Sequence, residues 1–87
     1  MIPMRVYVEV RAVFSEYGEL RPVHIKWSDG RVFEVDAVKE IRRAPSSAGS
    51  AGVRYTVKVS GHERYLFYED IYSETGKPRW FVEQDGK

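Results

Sequence analysis

Apolar side chains recur at every second position through most of this chain. Val6, Val8, Val10, Ala12 and Phe14 form one run, and Val23, Ile25 and Trp27 a second. Phe33, Val35 and Ala37 form a third, and Val53, Tyr55, Val57 and Val59 a fourth. Successive side chains of a strand point to opposite faces, so each run describes a strand with one apolar and one polar side. Gly, Pro, Ser and Asp lie between the runs, which is the punctuation of turns. The pattern predicts an all-β fold: a six-stranded antiparallel meander curled into a partly open, SH3-like small barrel, forming one domain over residues 1–87.

A chain of 87 residues without cysteine must hold itself together by packing alone. The 43% hydrophobic and 14% aromatic content supplies the material, since each ring buries roughly 150–250 Å². The absence of cysteine rules out disulfides and thiolate metal sites, and it suits a reducing, cytoplasmic location. The start, Met1-Ile2-Pro3-Met4-Arg5, enters a charged strand directly, so neither a secretory leader nor a membrane span is expected. Lys and Arg number 14 against 13 Asp and Glu, a net charge of +1, which argues against nucleic-acid binding by bulk electrostatics and leaves only local patches.

Turn chemistry sets two registers. Ile25 and Trp27 must share a face with Phe33 and Val35, which requires an odd loop, and Ser28-Asp29-Gly30 supplies it as a type I turn followed by a left-handed Gly30. Ile25 then faces Phe33, Val23 faces Val35 and His24 faces Glu34. In the later hairpin a Gly61-His62 turn is expected, pairing Val57 with Leu66, Tyr55 with Tyr68 and Arg54 with Glu69; a three-residue loop would set Lys58 beside Arg64. The third strand, 31–43, loses its parity at Val38 and Ile41, which predicts a bulge or bend near Ala37 and Val38. The alternative is a short helix near 37–43 and an α+β fold. The small-residue segment 45–52 reads as a flexible loop, and 84–87 as a disordered tail.

Chemistry-bearing residues are sparse. There is no nucleophile elbow, the Gly-rich segment matches neither a P-loop nor a dinucleotide fingerprint, and the two histidines lack a ligand set. Glu34 and Asp36 share one face of a strand, roughly 7 Å apart by the strand rise, and suit cross-strand pairing better than acid–base work. The expectation is a protein with no catalytic residues, no metal and no cofactor. The fifth strand, 64–69, stands out because Tyr65-Leu66-Phe67-Tyr68 is apolar at every position. Tyr65 and Phe67 are expected to point away from the core beside Lys58 and Arg54, with Arg42 and Arg43 extending the patch. These six are the candidate interaction surface. They suit a small interaction or accessory module whose partner is another protein or a second copy of the chain. The alternative is single-stranded nucleic acid stacked on an aromatic and basic face. An enzyme of unknown class ranks a distant third.

The segment from Ile25 to Val38, with its Trp27-Ser28-Asp29-Gly30-Arg31 turn, is followed by Arg54-Tyr55-Thr56-Val57, Tyr65-Leu66-Phe67-Tyr68 and Arg79-Trp80-Phe81-Val82-Glu83. Together they resemble a small uncharacterised bacterial all-β domain family, some members of which look like appendages of translesion DNA polymerases. The resemblance rests on core and turn residues and covers about two-thirds of the chain. It implies a β-domain without catalytic residues, and it adds weight to the nucleic-acid alternative.

Overall fold

The computed structural model describes residues 3–43, 52–69 and 78–85. They form β1 (Pro3–Phe14), β2 (Leu20–Lys26), β3 (Val32–Glu34), β4 (Ala37–Arg43), β5 (Val53–Val59), β6 (His62–Glu69) and β7 (Arg79–Asp85). Every ladder is antiparallel, and the strands lie in the order β3-β2-β1-β7-β6-β5-β4. The described residues are all-β. Residues 37–43 are strand, so the short helix and the α+β alternative are set aside.

Among the described residues the strands number seven rather than six because the expected third one divides. The Val35 N–H donates to the Val23 carbonyl at 2.9 Å, whereas the next N–H, of Asp36, donates to the Lys58 carbonyl at 2.8 Å. Adjacent residues thereby bond to opposite edges of one sheet, and a sheet whose two edges are joined in this way has to curl. The transfer falls at Val35 and Asp36, just ahead of the expected bend. The parity break at Val38 and Ile41 is a bulge, where the β4–β5 register shifts between Val38 and Glu40.

Turn residues fix the hairpins. In the first, the Ser15 N–H donates to the Glu19 carbonyl and the Gly18 N–H to the Ser15 carbonyl; Trp27, Arg31 and Gly30 repeat the pattern in the second. Gly18 and Gly30 hold φ of 81° and 91°, a left-handed conformation that glycine adopts without strain. The β2–β3 register is as expected, with Ile25 opposite Phe33 and His24 opposite Glu34. The β5–β6 register is not. Its turn is Ser60 and Gly61, both left-handed at 51° and 78°, so Tyr55 faces Leu66, Val57 faces Arg64, Arg54 faces Phe67 and Lys58 faces Glu63. This is the two-residue turn with both φ positive.

The concave side holds the core of Ile25, Tyr55, Val57 and Leu66, with Val8, Val10, Val38, Ile41, Tyr68, Trp80 and Val82 against it. Tyr55 closes it by donating from its hydroxyl to the Leu20 carbonyl at 2.5 Å. Trp27 is half-buried at the edge of this core. The expected loop at 45–52 lies outside the described residues except for Gly52, which is buried; a Cβ there would collide with the Tyr68 carbonyl oxygen. Of the expected tail at 84–87, Gln84 and Asp85 belong to β7 and pair with Met4 and Pro3, and the rest lies outside the described residues.

Candidate functional site

The convex side of β4, β5 and β6 carries the predicted surface and divides it. Tyr65 is 54% exposed, opposite Thr56, and the Arg54 guanidinium lies over its ring at 4.5 Å. Arg54 also meets Glu40 at 3.6 Å. Arg42 sits opposite Arg54, and Lys58 opposite Glu63. Arg43, one residue on, takes the other face by the alternation of the strand. Phe67 points to the convex side as expected but is only 5% exposed, stacked on Phe81 at 5.1 Å with the rings 9° apart. The structure thus joins Tyr65, Arg54, Arg42 and Lys58 into one patch and leaves out Phe67 and Arg43.

Beside Phe67 lies a group that the sequence did not point to. Glu69 is 3% exposed, and its carboxylate accepts from the Tyr7 hydroxyl at 3.1 and 3.2 Å. Arg79 Nη2 approaches the same carboxylate at 3.4 Å and Arg5 Nη1 at 3.8 Å. Arg79 also donates to the Tyr7 hydroxyl at 3.0 Å, with its guanidinium over the Tyr7 ring. A carboxylate so enclosed has no room for a substrate, and its acceptors are taken. It ties β6 to β1 and β7. The available signal was an acid ending a run of four apolar residues and an arginine opening the next strand; the expected register set Glu69 against Arg54 of β5, whereas Arg54 faces Phe67 and Glu69 pairs with Arg79 on the β7 side.

The other feature is an opening in the wall. β7 pairs with β1 from Pro3↔Asp85 to Val8↔Trp80, but with β6 only at Phe67↔Phe81, Tyr68↔Trp80 and Glu69↔Arg79. Beyond Phe67 and Phe81 the two strands part, and a cavity of about 930 Å³ opens there. Ile25, Trp27, Phe33, Val57, Leu66 and Val82 give it apolar walls, and Arg31, His62, Arg64 and Glu83 stand at it as polar groups. Arg31 is held at 2.6 Å by Asp29, whose carboxyl is kept below its ordinary range first by the Arg31 backbone N–H and further by the Arg31 side chain. Arg64 is exposed; its guanidinium donates to the Glu63 carbonyl at 3.4 Å and, among the described residues, meets no carboxylate.

Among the described residues no three His, Asp or Glu side chains come together as a metal site. None of the described residues forms a helix long and apolar enough to cross a membrane. The chain matches no family model, no curated protein and no solved structure.

Proposed function

We propose that this chain is a small non-catalytic binding module of the cytoplasm, SH3-like in its bent shared strand, whose ligand enters the opening between β6 and β7. One observation carries the reading: the β6–β7 ladder stops at Phe67↔Phe81, and an apolar cavity of about 930 Å³ begins there. Ligand sites are typically concave and mostly apolar, roughly 300–1,000 Å³, with a few polar groups at the mouth.

The convex patch supports less. With Phe67 stacked on Phe81, Tyr65 stands as its one exposed ring, a small basis for self-association. Arg42, Arg54 and Lys58 favour an anionic strand, but Arg54 occupies the ring face on which a base would stack. The test is titration with the apolar dye 1-anilinonaphthalene-8-sulfonate, read beside tryptophan emission, on the parent and on a Val57→Arg, Leu66→Arg pair of single variants, each of which places a charge on the apolar wall. Saturable binding lost in the folded variants supports the reading. Undiminished binding in them, or none in the parent, overturns it. A salt-sensitive anisotropy change with labelled oligothymidylate would move the assignment to the convex face.

A further inference from the structure

We infer that the ligand is a second copy of this chain: the β1–β2 hairpin tip of one molecule, with Phe14, Glu16 and Tyr17, enters the opening of the next, where Glu16 meets Arg64. This rests on the binding-module reading and names its partner.

The tip presents what a core would hide. The Gly18 N–H donates to the Ser15 carbonyl, so Glu16 and Tyr17 occupy the two corners of a β-turn, and the left-handed Gly18 returns the chain toward β2. The Ser15 hydroxyl accepts from the Tyr17 and Glu19 N–H groups at 3.2 and 3.1 Å, which holds the turn in shape before any partner arrives and lowers the entropy lost on binding. On this frame Val13, Phe14 and Tyr17 are 53%, 74% and 87% exposed. Single exposed apolar residues are ordinary, but a group of them at one hairpin end is the kind of patch that marks an interface.

Charge selects the cover. Glu19 is taken by Arg21 at 2.8 Å, but Glu16 meets no cation among the described residues. The opening has the complementary imbalance. Arg31 is held by Asp29 and lies over the Phe33 ring at 5.4 Å, whereas Arg64 meets no carboxylate among the described residues. Arg64 faces Val57 across the β5–β6 ladder, so it stands on the concave side. Around it at the mouth are Trp27, Phe33 and Val59, half-buried and therefore reachable. One end of the molecule carries rings around an unanswered acid, and the other an apolar hollow beside an unanswered cation. A fatty acid would answer the second and leave Phe14 and Tyr17 in water.

The two ends do not meet within one molecule. Phe14 pairs with Leu20 at one end of β2, whereas the opening lies beside Trp27, past Lys26 at the other end. The length of β2 between them is roughly 20 Å by the strand rise. The contact is therefore head-to-tail, each molecule giving a tip to one neighbour and an opening to another, and it propagates unless the rotation closes a ring. Two rings bury roughly 300–500 Å², a small interface, so the assembly is weak and concentration-dependent.

The test is sedimentation equilibrium of the whole chain over roughly 0.01–1 mM, a range suited to a small interface, with amide NMR on the same samples. Expected is a mass that rises past the dimer, with shifts growing together at residues 14–17 and at Trp27 and Arg64. The double variant Phe14→Thr, Tyr17→Ser and the single variant Arg64→Glu, all at exposed positions and checked by melting curves, should each associate more weakly by about tenfold or more. Mixed, they should pair as tightly as the parent and stop at a 1:1 dimer, because one sound tip and one sound opening remain. Glu16→Arg alone should weaken association about tenfold, and joining it to Arg64→Glu in one chain should restore it. A parent that stays monomeric, an association untouched by either variant, or a mixture that assembles no better than its parts overturns the inference. If the apolar dye still binds a monomeric parent, the binding-module reading stands; if it does not, both fall.

Discussion

β7 has two neighbours, and it meets them differently. Toward β1 the ladder is long, with Val6 and Val8 paired to Val82 and Trp80 on the concave side and Tyr7 edge-on to Phe81 at 5.6 Å on the convex side. Toward β6 it lasts only while each pair has a strong side-chain contact: Phe67 on Phe81, Tyr68 against Trp80 at 4.9 Å, Glu69 with Arg79. Where Leu66 would have met Val82 and Arg64 would have met Gln84, pairing has stopped. Backbone hydrogen bonds contribute little net free energy individually, roughly 0.5–1.5 kcal/mol, so side-chain pairs decide how far a ladder runs. One strand can thus secure the sheet on one side and leave it open on the other.

The largest expected effect comes from the residue that serves both ladders. Phe81 is 1% exposed and touches Phe67 and Tyr7, so Phe81→Ala should cost about 3–5 kcal/mol in urea unfolding. If amide exchange in that variant rises at Phe67 but not at Val6, the two seams open independently; if it rises at both, β7 acts as one unit. Next is Glu69→Ala, expected to cost about 2–3 kcal/mol because it leaves the partly buried Arg5 and Arg79 guanidinia and the Tyr7 hydroxyl without their shared acceptor. A loss within error would mean that the aromatic pairs alone hold the short seam. Gly52→Ala should cost about 1–2 kcal/mol by pressing β6 at Tyr68, a member of the short ladder. An unchanged melting temperature would show that β6 yields there freely.

The smallest effect is a pH dependence on the concave side. Burial, with Tyr68 and Glu19 nearby, raises the Tyr55 hydroxyl above its ordinary 10.0, with Arg21 opposing. The unfolded chain therefore ionises first. The contribution is fully present below pH 10.0 and is lost as pH rises through the higher folded value. Tyr55→Phe should lose about 0.5–1.5 kcal/mol at neutral pH and flatten the alkaline decline in stability. An alkaline limb that keeps its slope would assign the effect to another group.

The two hairpins show what could be read in the sequence. In β2–β3 the turn length and the apolar faces agreed on one register, and a shift by one residue would have turned Ile25 or Phe33 to solvent, so the pairing was determined. The β5–β6 register was missed by two residues, a shift that preserves every face and therefore leaves the alternation silent. The turn places Ser60 in a left-handed conformation that serine seldom takes, while the Lys58–Glu63 pairing rewards it. The break in strand parity near Val38 was legible. That the chain crosses between sheet edges at Val35 and Asp36 was not, because it depends on where β2 and β5 finish. Tyr65, Arg54, Arg42 and Lys58 were correctly grouped by alternation. The cavity left no local trace, since it arises where a long-range ladder stops.

The β1–β7 pairing also fixes how the protein bears a mechanical load. Pro3 and Asp85 are paired, and the strands run antiparallel from that point. Tension applied between these two residues falls on one pair at a time, with each bond pulled along its own length, so the ladder peels like a zip. Traction between Pro3 and the far end of β7 would load the same bonds together and sideways. Along the first axis the molecule is compliant and along the second it is stiff, although the same ladder resists in both.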